Sequence, residues 1–587
     1  MRIGGARRLR RDAALAAVLV TLYALGAALV HNSYYQLILT LVPVWAVLGL
    51  GWNLFSGMSG LVSFGHAAFF GIGAYVVTLA LVYWHLTPWL GIPLGMVAGA
   101  AAAVLIGLPT FRLRGHYFAL SMLAYPLAIL YVMEYLGFQE VPLPMHRDHP
   151  ALFLQFVAPL PMTLVALGLF VLAMIAGLLV ENSRFGLALL AIRQNELAAE
   201  AAGLDTWRWK LRGLVASGAV AAAAGGLYAC VLLVVTPGSV FGVIVSAQAL
   251  VVTLFGGVGT VWGPVIGAAV LIPLAETLNA KLGNIVPGIQ GVVYGVAIIA
   301  TMLAAPEGLF WTFRDRFFRP ASSTPAPAPA GHAAPAVAMP TRGQTLLEVR
   351  AVSKSFGGLR AVQDVSFRLQ AGEILGIIGP NGAGKTTLFN LLCGVIAADT
   401  GSARLEGVEL RGRKVHRIAR LGVGRTFQVV RSFPRLSLLE NVVVAGYGAG
   451  LGDAEAAGAA EAALEAVGLA GRAARPAGEL TNKDLRLMEL ARALAGSPRL
   501  LLLDETLAGL GREECDEVLA VLHRLRDRGM SIVIIEHTMH AMLRLADRFL
   551  VLDHGRVLAE GDPRAVMENP AVIEAYLGSK FLARQNA

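Results

Sequence analysis

Over its first 304 residues the chain repeats apolar stretches long enough to cross a bilayer, and this constrains the fold more than any other feature. A membrane helix needs about 20 apolar residues, because the lipid core leaves no partner for a backbone N–H or C=O outside a helix or closed barrel. Hydropathy predicts ten spans, near 13–30, 37–56, 61–84, 88–110, 117–137, 160–180, 212–235, 243–257, 260–277 and 285–304. The composition agrees: 56% of the 587 residues are hydrophobic and 15% charged, a balance too apolar for a wholly soluble chain. Cys230, Cys393 and Cys515 are far apart and form neither a CxxC nor a metal-ligand spacing, so no disulfide framework is expected.

Charge sets the expected orientation. Arg2, Arg7, Arg8, Arg10 and Arg11 precede the first apolar run. A cleaved signal peptide is the competing reading, but the run from Ala13 to Val30 is long for one and further spans follow at once. With the N-terminus inside, Arg112 and Arg114 fall in one inner loop and Arg184, Arg193, Arg208, Lys210 and Arg212 in another. The outer loop at 138–159 holds Arg147 alone, as the excess of basic residues in cytoplasmic loops requires. Ten spans return the chain to the inside, so both ends are expected there, with membrane lipid as a partner. The formal net charge of +9 is therefore read as topological, and no nucleic acid partner is expected.

The main ionisable residues within the predicted spans are His66, His116, Glu134 and Glu276. Ion-coupled carriers place carboxylates or paired charges at membrane depth, so this half reads as a passage without its own power supply. His66 and Glu134 read first as groups satisfied near helix ends. The longest inner connection, "ENSRFGLALLAIRQNELAAEAAGLD", carries Leu187, Leu190, Ala191, Leu197, Ala198 and Ala201 at helical spacing. Arg193, Glu196 and Glu200 gather on its other side, and Gly203 ends it. Such an amphipathic helix either lies on the membrane or docks in a groove of a soluble partner.

Residues 319–345 include "RPASSTPAPAPAGHAAPAVAMP", whose small side chains and many prolines bury too little to offset the entropy of ordering. It is read as a tether between a membrane domain at 1–318 and a second domain at 346–587; a long surface loop is the alternative. In the second domain, "EILGIIGPNGAGKTTLFNLLCG" gives a strand, a Gly-rich loop and a helix fitting GxxxxGK[ST] from Gly379 to Thr386. Gly379, Pro380, Asn381, Gly382, Ala383 and Gly384 form the predicted phosphate cradle, followed by Lys385, Thr386 and Thr387. Lys385 is suited to the β- and γ-phosphates and the Thr386 hydroxyl to Mg²⁺. "RLLLLDETLAGL" ends a strand in Asp504, suited to hold Mg²⁺, and Glu505, suited to orient or deprotonate a water. "SIVIIEHTM" ends another strand near His537, a candidate γ-phosphate sensor. The expected fold class is a polytopic helical membrane domain followed by an α/β P-loop ATPase, with ATP and Mg²⁺ as cofactors.

These elements together resemble the nucleotide-binding domain of the ABC transporter superfamily. The resemblance implies that Phe356 stacks on adenine and that Gln428, in "GRTFQVV", contacts Mg²⁺ or the attacking water and couples the site to the membrane half. It also implies that His537 is the switch histidine. "GWNLFSGMSGLVSFGHAAFFGIGAY", "LRGHYFAL", "ENSRFGLALLAIRQNELAAEAAG" and "GGVGTVWGPVIGA" resemble the permease of Liv-type branched-chain amino acid importers. "RTFQVVRSF" and "ENPAVIEAYLG" resemble their ATPases. The resemblance implies an import function in the cytoplasmic membrane, with a second permease subunit, a second ABC ATPase and an extracytoplasmic substrate-binding protein. In such systems the segment from Glu181 to Gly203 is the coupling helix that docks on the ATPase.

Two departures stand out. "YLGFQEVPLPMHRDHP" lacks the Gly-rich motif expected of such permeases. "ELTNKDLRLMELARAL" stands where LSGGQ is expected: Thr481 keeps a hydroxyl, but Asn482, Lys483 and Asp484 replace the small residues. Asp484 is expected to bring a negative charge toward a phosphate, offset by Lys483. The D-loop position, Ala508 to Gly511, lacks the usual Asp. An exporter half, or a nucleotide-gated channel or sensor with little hydrolysis, remains the alternative.

Overall fold

The computed structural model describes residues 5–113, 115–146, 148–286, 288–305, 308–312 and 341–577. The tether expected at 319–345 lies outside the described residues up to position 340. The chain divides into two units, Met1–Arg193 with Trp207–Ala321, and Gln194–Thr206 with Ser322–Ala587.

The first unit is helical. Its long helices are α1 (Gly5–Leu29), α2 (Ser33–Trp52), α3 (His66–Trp84), α4 (Pro88–Thr110) and α5 (His116–Tyr135). After the one-turn α6 (Pro150–Phe153) comes α7 (Pro159–Glu181). The short α8 (Arg184–Gln194) and α9 (Glu196–Ala201) precede α10 (Thr206–Leu232), and α11 (Pro237–Phe241) leads into α12 (Val243–Gly256). The series closes with α13 (Trp262–Leu282) and α14 (Ile289–Ala304). Among the described residues nine helices are long and apolar enough to cross a membrane, and the tenth expected span is the 16-residue α14. Several starts differ from expectation for local reasons. Asn32 accepts from the N–H groups of Tyr34 and Tyr35 and starts α2 at Ser33, ahead of the predicted 37. "LVSFG" is irregular, with a bend at Phe64, so α3 begins at His66 and not at 61.

At the centre lies α2, buried from Leu41 through Trp52 and continued by a π-helical turn, Asn53–Gly57. Between apolar helices in lipid, close packing and not hydrophobic exclusion drives association, so small residues sit at the tightest crossings. A Cβ on Gly73 would stand 1.9 Å from the Ala222 carbonyl of α10, and one on Gly256 only 1.7 Å from that of Gly263. Among the described residues most polar groups in this core are satisfied internally, with Gln36 Oε1 and Thr78 Oγ1 the exceptions. His66, buried at the start of α3, meets Ser63 Oγ at 3.1 Å and Ser217 Oγ at 2.7 Å, while Glu134 is exposed near the end of α5. A two-residue ladder of β1 (Val141–Pro142) and β2 (Val234–Val235) ties the loop after α5 to the end of α10.

The single amphipathic helix expected from Glu181 to Gly203 is two helices. Asn195, extended at φ −158°, breaks the run and accepts from the Ala198 N–H at 3.0 Å as N-cap of α9. Asn is favoured at such a cap and poor inside a helix, so the local side-chain bond won over continuous periodicity.

In the second unit an antiparallel sheet of order β4-β3-β6-β7 stands beside a six-stranded sheet of order β12-β11-β5-β10-β9-β8. The first is built from β3 (Thr345–Phe356), β4 (Leu359–Gln370), β6 (Thr400–Leu405) and β7 (Val408–Glu409). The second comprises β5 (Ile374–Ile378), β8 (Val423–Arg425), β9 (Leu500–Asp504), β10 (Ser531–Ile535), β11 (Arg548–Asp553) and β12 (Arg556–Gly561). Strands β5, β9 and β10 are buried along their whole length, which is why they read as unbroken aliphatic runs. Their pairing is parallel, with Ile535 opposite both Ile377 and Asp504, so the carboxyl ends of β5, β9 and β10 come together. Ligands of open parallel sheets bind at such ends.

Candidate nucleotide site

The loop from Gly379 to Gly384 leaves β5 and enters the helix Lys385–Leu392. Its glycines are forced by close approach. Gly379 has φ +150° and a Cβ there would lie 2.1 Å from the Leu552 carbonyl; Gly384 has φ +97° and its Cβ would lie 2.3 Å from that of Ala361. Asn381 and Gly382 are exposed at the loop tip, and Ala383 is buried. Lys385 Nζ donates to the carbonyls of Gly379 at 2.7 Å and Pro380 at 2.9 Å, curling the side chain over the loop. Burial lowers the Lys385 pKa, and the carboxylates of Glu505 and Asp504 oppose that shift. The exposed Thr386 and half-buried Thr387 follow in the first turn of the helix, where N–H groups and helix dipole favour an anion.

Opposite stand the acidic residues. Asp504 closes β9 and is buried; Arg425 Nη2 lies 3.7 Å from its Oδ2, while its Oδ1 has no hydrogen-bond partner. Burial raises its pKa and Arg425 opposes this. A buried carboxylate oxygen without a donor suits a cation, so the donor set of Asp504 and the Thr386 hydroxyl fits Mg²⁺. Glu505 takes a left-handed φ of +48° and its N–H is held by the Ile535 carbonyl at 2.9 Å. That turn directs the two carboxylate oxygens to different partners. Gln428 Nε2 donates to Oε2 at 3.0 Å, and His537 Nε2 stands 2.9 Å from Oε1. Thus Gln428, Glu505 and His537, from three separated stretches, form one hydrogen-bonded group. Phe356 is half-exposed at the end of β3, apart from that group, with Lys354 Nζ 5.5 Å from its ring centroid.

Other residues brace this group, and sequence reading missed them. Arg425 lies between Asp504 and the Phe427 ring, its guanidinium carbon 5.0 Å from the centroid. Glu489, fully buried, accepts from the N–H groups of Phe427 at 3.2 Å and Arg431 at 3.0 Å and pairs with Arg492 at 3.3 Å. Glu536 accepts from the Leu507 N–H at 2.6 Å, and burial pushes its carboxyl up to about 7. A sequence signal for Glu489 was available: in "LRLMELARAL" it stands three residues from Arg486 on one side and Arg492 on the other, one charged face on a helix otherwise rich in leucine and alanine.

The signature segment corrects an expectation. Thr481 does cap the helix Asn482–Ala495, accepting from the Asp484 N–H at 3.3 Å. Asp484, however, is buried and ion-paired with Arg472, and Lys483 Nζ bonds Glu517 at 2.7 Å. Each charge has its own partner within the domain. Glu517 is the larger cause of a raised Lys483 pKa, and Asp484 still acts on Lys483 in the same direction.

The same unit holds the segment 194–206. Arg420 Nε donates to the carbonyls of Gly203 at 3.0 Å and Gly448 at 2.9 Å. His416 Nε2 lies 3.5 Å from Asp205, and the Arg435 N–H donates to Gln194 Oε1 at 3.0 Å. Ala198, Ala201 and Ala202 line a groove with Ala419, Ala445 and Phe427, so the apolar side of α9 is docked on protein.

Comparison with known proteins assigns both halves. Residues 34–302 match the family model described as branched-chain amino acid transport system / permease component. Residues 362–508 match that of the ABC transporter, and 556–581 that of the branched-chain amino acid ATP-binding cassette transporter. The chain is 40% identical over 249 residues to BraF of Pseudomonas aeruginosa, a high-affinity branched-chain amino acid transport ATP-binding protein. That alignment covers 40% of this chain and 98% of the relative. It is also 40% identical over 251 residues to LivG of Escherichia coli, with the same coverage, and 34% identical over 247 residues to a probable LivG of Archaeoglobus fulgidus, covering 96% of that protein. A crystal structure of an ATP-binding cassette of an ABC transporter in its ADP conformation is 28% identical and matches 40% of this chain and 100% of its own, with a TM-score of 0.38.

Proposed function

We propose that this chain, which belongs to the branched-chain amino acid ABC transporters and carries permease and ATPase in one polypeptide, imports branched-chain or related hydrophobic amino acids across the cytoplasmic membrane. ATP hydrolysis supplies the energy, with residues 1–318 as permease, 319–345 as linker and 346–587 as ATPase. The nucleotide phosphates are cradled by Gly379 to Thr387, with adenine on Phe356. Thr386, Gln428 and Asp504 would hold Mg²⁺, which supplies charge neutralisation between the phosphates. Glu505 orients and deprotonates the attacking water, and His537 senses the γ-phosphate.

The observation that carries this reading is the placing of Glu505 between Gln428 and His537. A carboxylate bonded on both sides is a positioned base, and Gln428 belongs to the same loop as Arg431, which reaches Asn195 of the docked segment at 3.5 Å. Movement of that loop as Glu505 changes partner passes to the segment 194–206.

Parity of crossings supports ten spans. The segment 194–206 and the ATPase belong to one body, so the chain between them crosses the membrane an even number of times. Helices α10, α11 with α12, and α13 supply three crossings; α14 is the fourth. The candidate spans run from 19 to 27 residues, one bilayer thickness each, which speaks against the long helices of an exporter. A second permease, a second ATPase and an external binding protein complete the importer. The test is ATP-dependent uptake of leucine into liposomes holding the complete complex with its binding protein. Uptake abolished by Glu505→Gln supports the reading; a complex that hydrolyses ATP without accumulating leucine, isoleucine or valine overturns it.

A further inference from the structure

The membrane unit contains a cavity of about 210 Å³ that the transport chemistry described so far does not use. It lies where Ser33 opens α2, Pro159 opens α7 and Leu233 follows α10. These three chain ends belong to the face opposite the Arg-rich loops, which is the outer face. Its wall is chiefly aliphatic and thioether, with Leu37, Leu154, Met162, Cys230, Val231 and Leu233, and among the described residues it contains no charged side chain. Two polar side chains in the wall are already bonded, and Ser33 lies exposed at its rim. The Thr40 hydroxyl bonds the Gln36 carbonyl at 2.9 Å and Thr163 Oγ1 at 2.7 Å. The Gln155 amide donates to the Pro144 carbonyl at 2.8 Å and accepts from the His146 N–H at 2.7 Å. A cavity of roughly 150 Å³ admits a benzene ring, so this half-open pocket has room for an aliphatic side chain.

Two helix ends shape it. Leu154 has φ +53° and Leu233 φ +63°, and both line the cavity. Each closes a helix in the left-handed conformation, Leu154 capping α6 and the Leu233 N–H bonding the Ala229 carbonyl of α10 at 2.9 Å. The two caps thereby bring two leucines to one wall.

We propose that this cavity is the outer receiving site for the aliphatic side chain of the transported amino acid. The proposal rests on the import function above and deepens it: the cavity admits neutral aliphatic side chains and rejects charged ones, because a charge placed there meets no partner among the described residues. Specificity in this half then resides in cavity volume, set by Met162, Cys230, Leu154 and Leu233.

Cys230 gives the test a handle. In the complete complex carrying Cys393→Ser and Cys515→Ser, the rate at which methyl methanethiosulfonate modifies Cys230 is measured with no addition, with L-leucine and with L-lysine. Slowing of at least threefold by leucine and none by lysine supports the site. Equal rates in a complex that still takes up leucine overturn the site while leaving the import function standing. Slowing by added phospholipid and not by leucine also overturns it, as a lipid-chain cavity. Absence of leucine uptake in the unmodified complex removes the import reading itself, and the site with it. Should the thiol prove unreactive, Cys230→Phe decides: the smaller cavity is expected to shift the uptake ratio of leucine to alanine at least fivefold toward alanine. An unchanged ratio overturns the proposal, since loss of fold lowers both uptakes together.

Discussion

Glu505 and His537 face each other at 2.9 Å across the ends of two neighbouring parallel strands, with Gln428 bonded to the other oxygen of the same carboxylate. The carboxylate is thereby aimed by two partners, within electrostatic reach of Lys385. Replacing Glu505 by Gln keeps the size and both contacts but removes the base. We expect hydrolysis by the assembled complex to fall by ~10²–10⁴-fold while nucleotide binding persists, read by phosphate release against equilibrium ATP binding. Retained turnover would mean that another group serves as the base.

The docking of 194–206 gives a second expectation. A Cβ on Gly448 would stand 1.7 Å from the Ala202 carbonyl, which belongs to backbone and cannot rotate away. Gly448→Ala therefore forces α9 off its seat, at a cost of about 1–3 kcal/mol. Leucine uptake should drop severalfold with ATP hydrolysis maintained. Loss of both in equal measure would argue against a coupling role for this contact.

Glu536 provides a pH test. Its folded pKa of about 7 is raised from the model-peptide range near 4.5, chiefly by burial. The folded chain thus binds this proton more tightly than the unfolded one, so stability falls as pH rises from about 4.5 through 7 and stays lowered above. Glu536→Gln retains an oxygen for the Leu507 N–H and removes the penalty, by up to about 3 kcal/mol. Thermal unfolding of the full chain should show the variant more stable than the parent at pH 8 and equal to it near pH 4.5. A constant difference across that range would contradict the assignment.

Asp484 and Arg472 supply a fourth. Asp484 is buried and Arg472 half-exposed, so the pair is partly screened, yet deleting the cation strands a carboxylate inside the domain. Arg472→Ala is expected to cost ~2 kcal/mol in denaturant unfolding, and adding Asp484→Asn should recover most of it. An additive second loss would show that the two do not act as a pair.

Much of the nucleotide site was legible because its chemistry is local. The loop from Gly379 to Thr386 is one continuous stretch, and Asp504, Glu505 and His537 follow aliphatic runs whose ends parallel pairing must bring together. Arg425 and Glu489 were not legible, since their partners are distant in sequence and an isolated Arg or Glu ordinarily signals solvent. In the membrane unit every span reads as apolar, so hydropathy does not separate α2, almost wholly buried, from α5, whose candidate span is 17% buried. Lipid and protein interior look alike to that measure. The break at Asn195 escaped because the apolar spacing runs on across it while one side-chain oxygen decides the backbone.

The bond from Arg420 to the Gly203 carbonyl joins residues 217 positions apart. A ribosome adding roughly 5–20 residues per second takes about 10 to 40 s to cover that distance. Throughout that interval the docking segment has left the ribosome but its seat has not been made. It is equipped to wait: Asn195 caps α9, and the Thr206 hydroxyl reaches Glu196 at 3.0 Å and Glu200 at 2.8 Å, all without help from later residues. When the ATPase emerges on the same polypeptide, it meets a segment whose local caps favour its docked shape, so assembly of this half is a step in biosynthesis and not an encounter between two finished proteins.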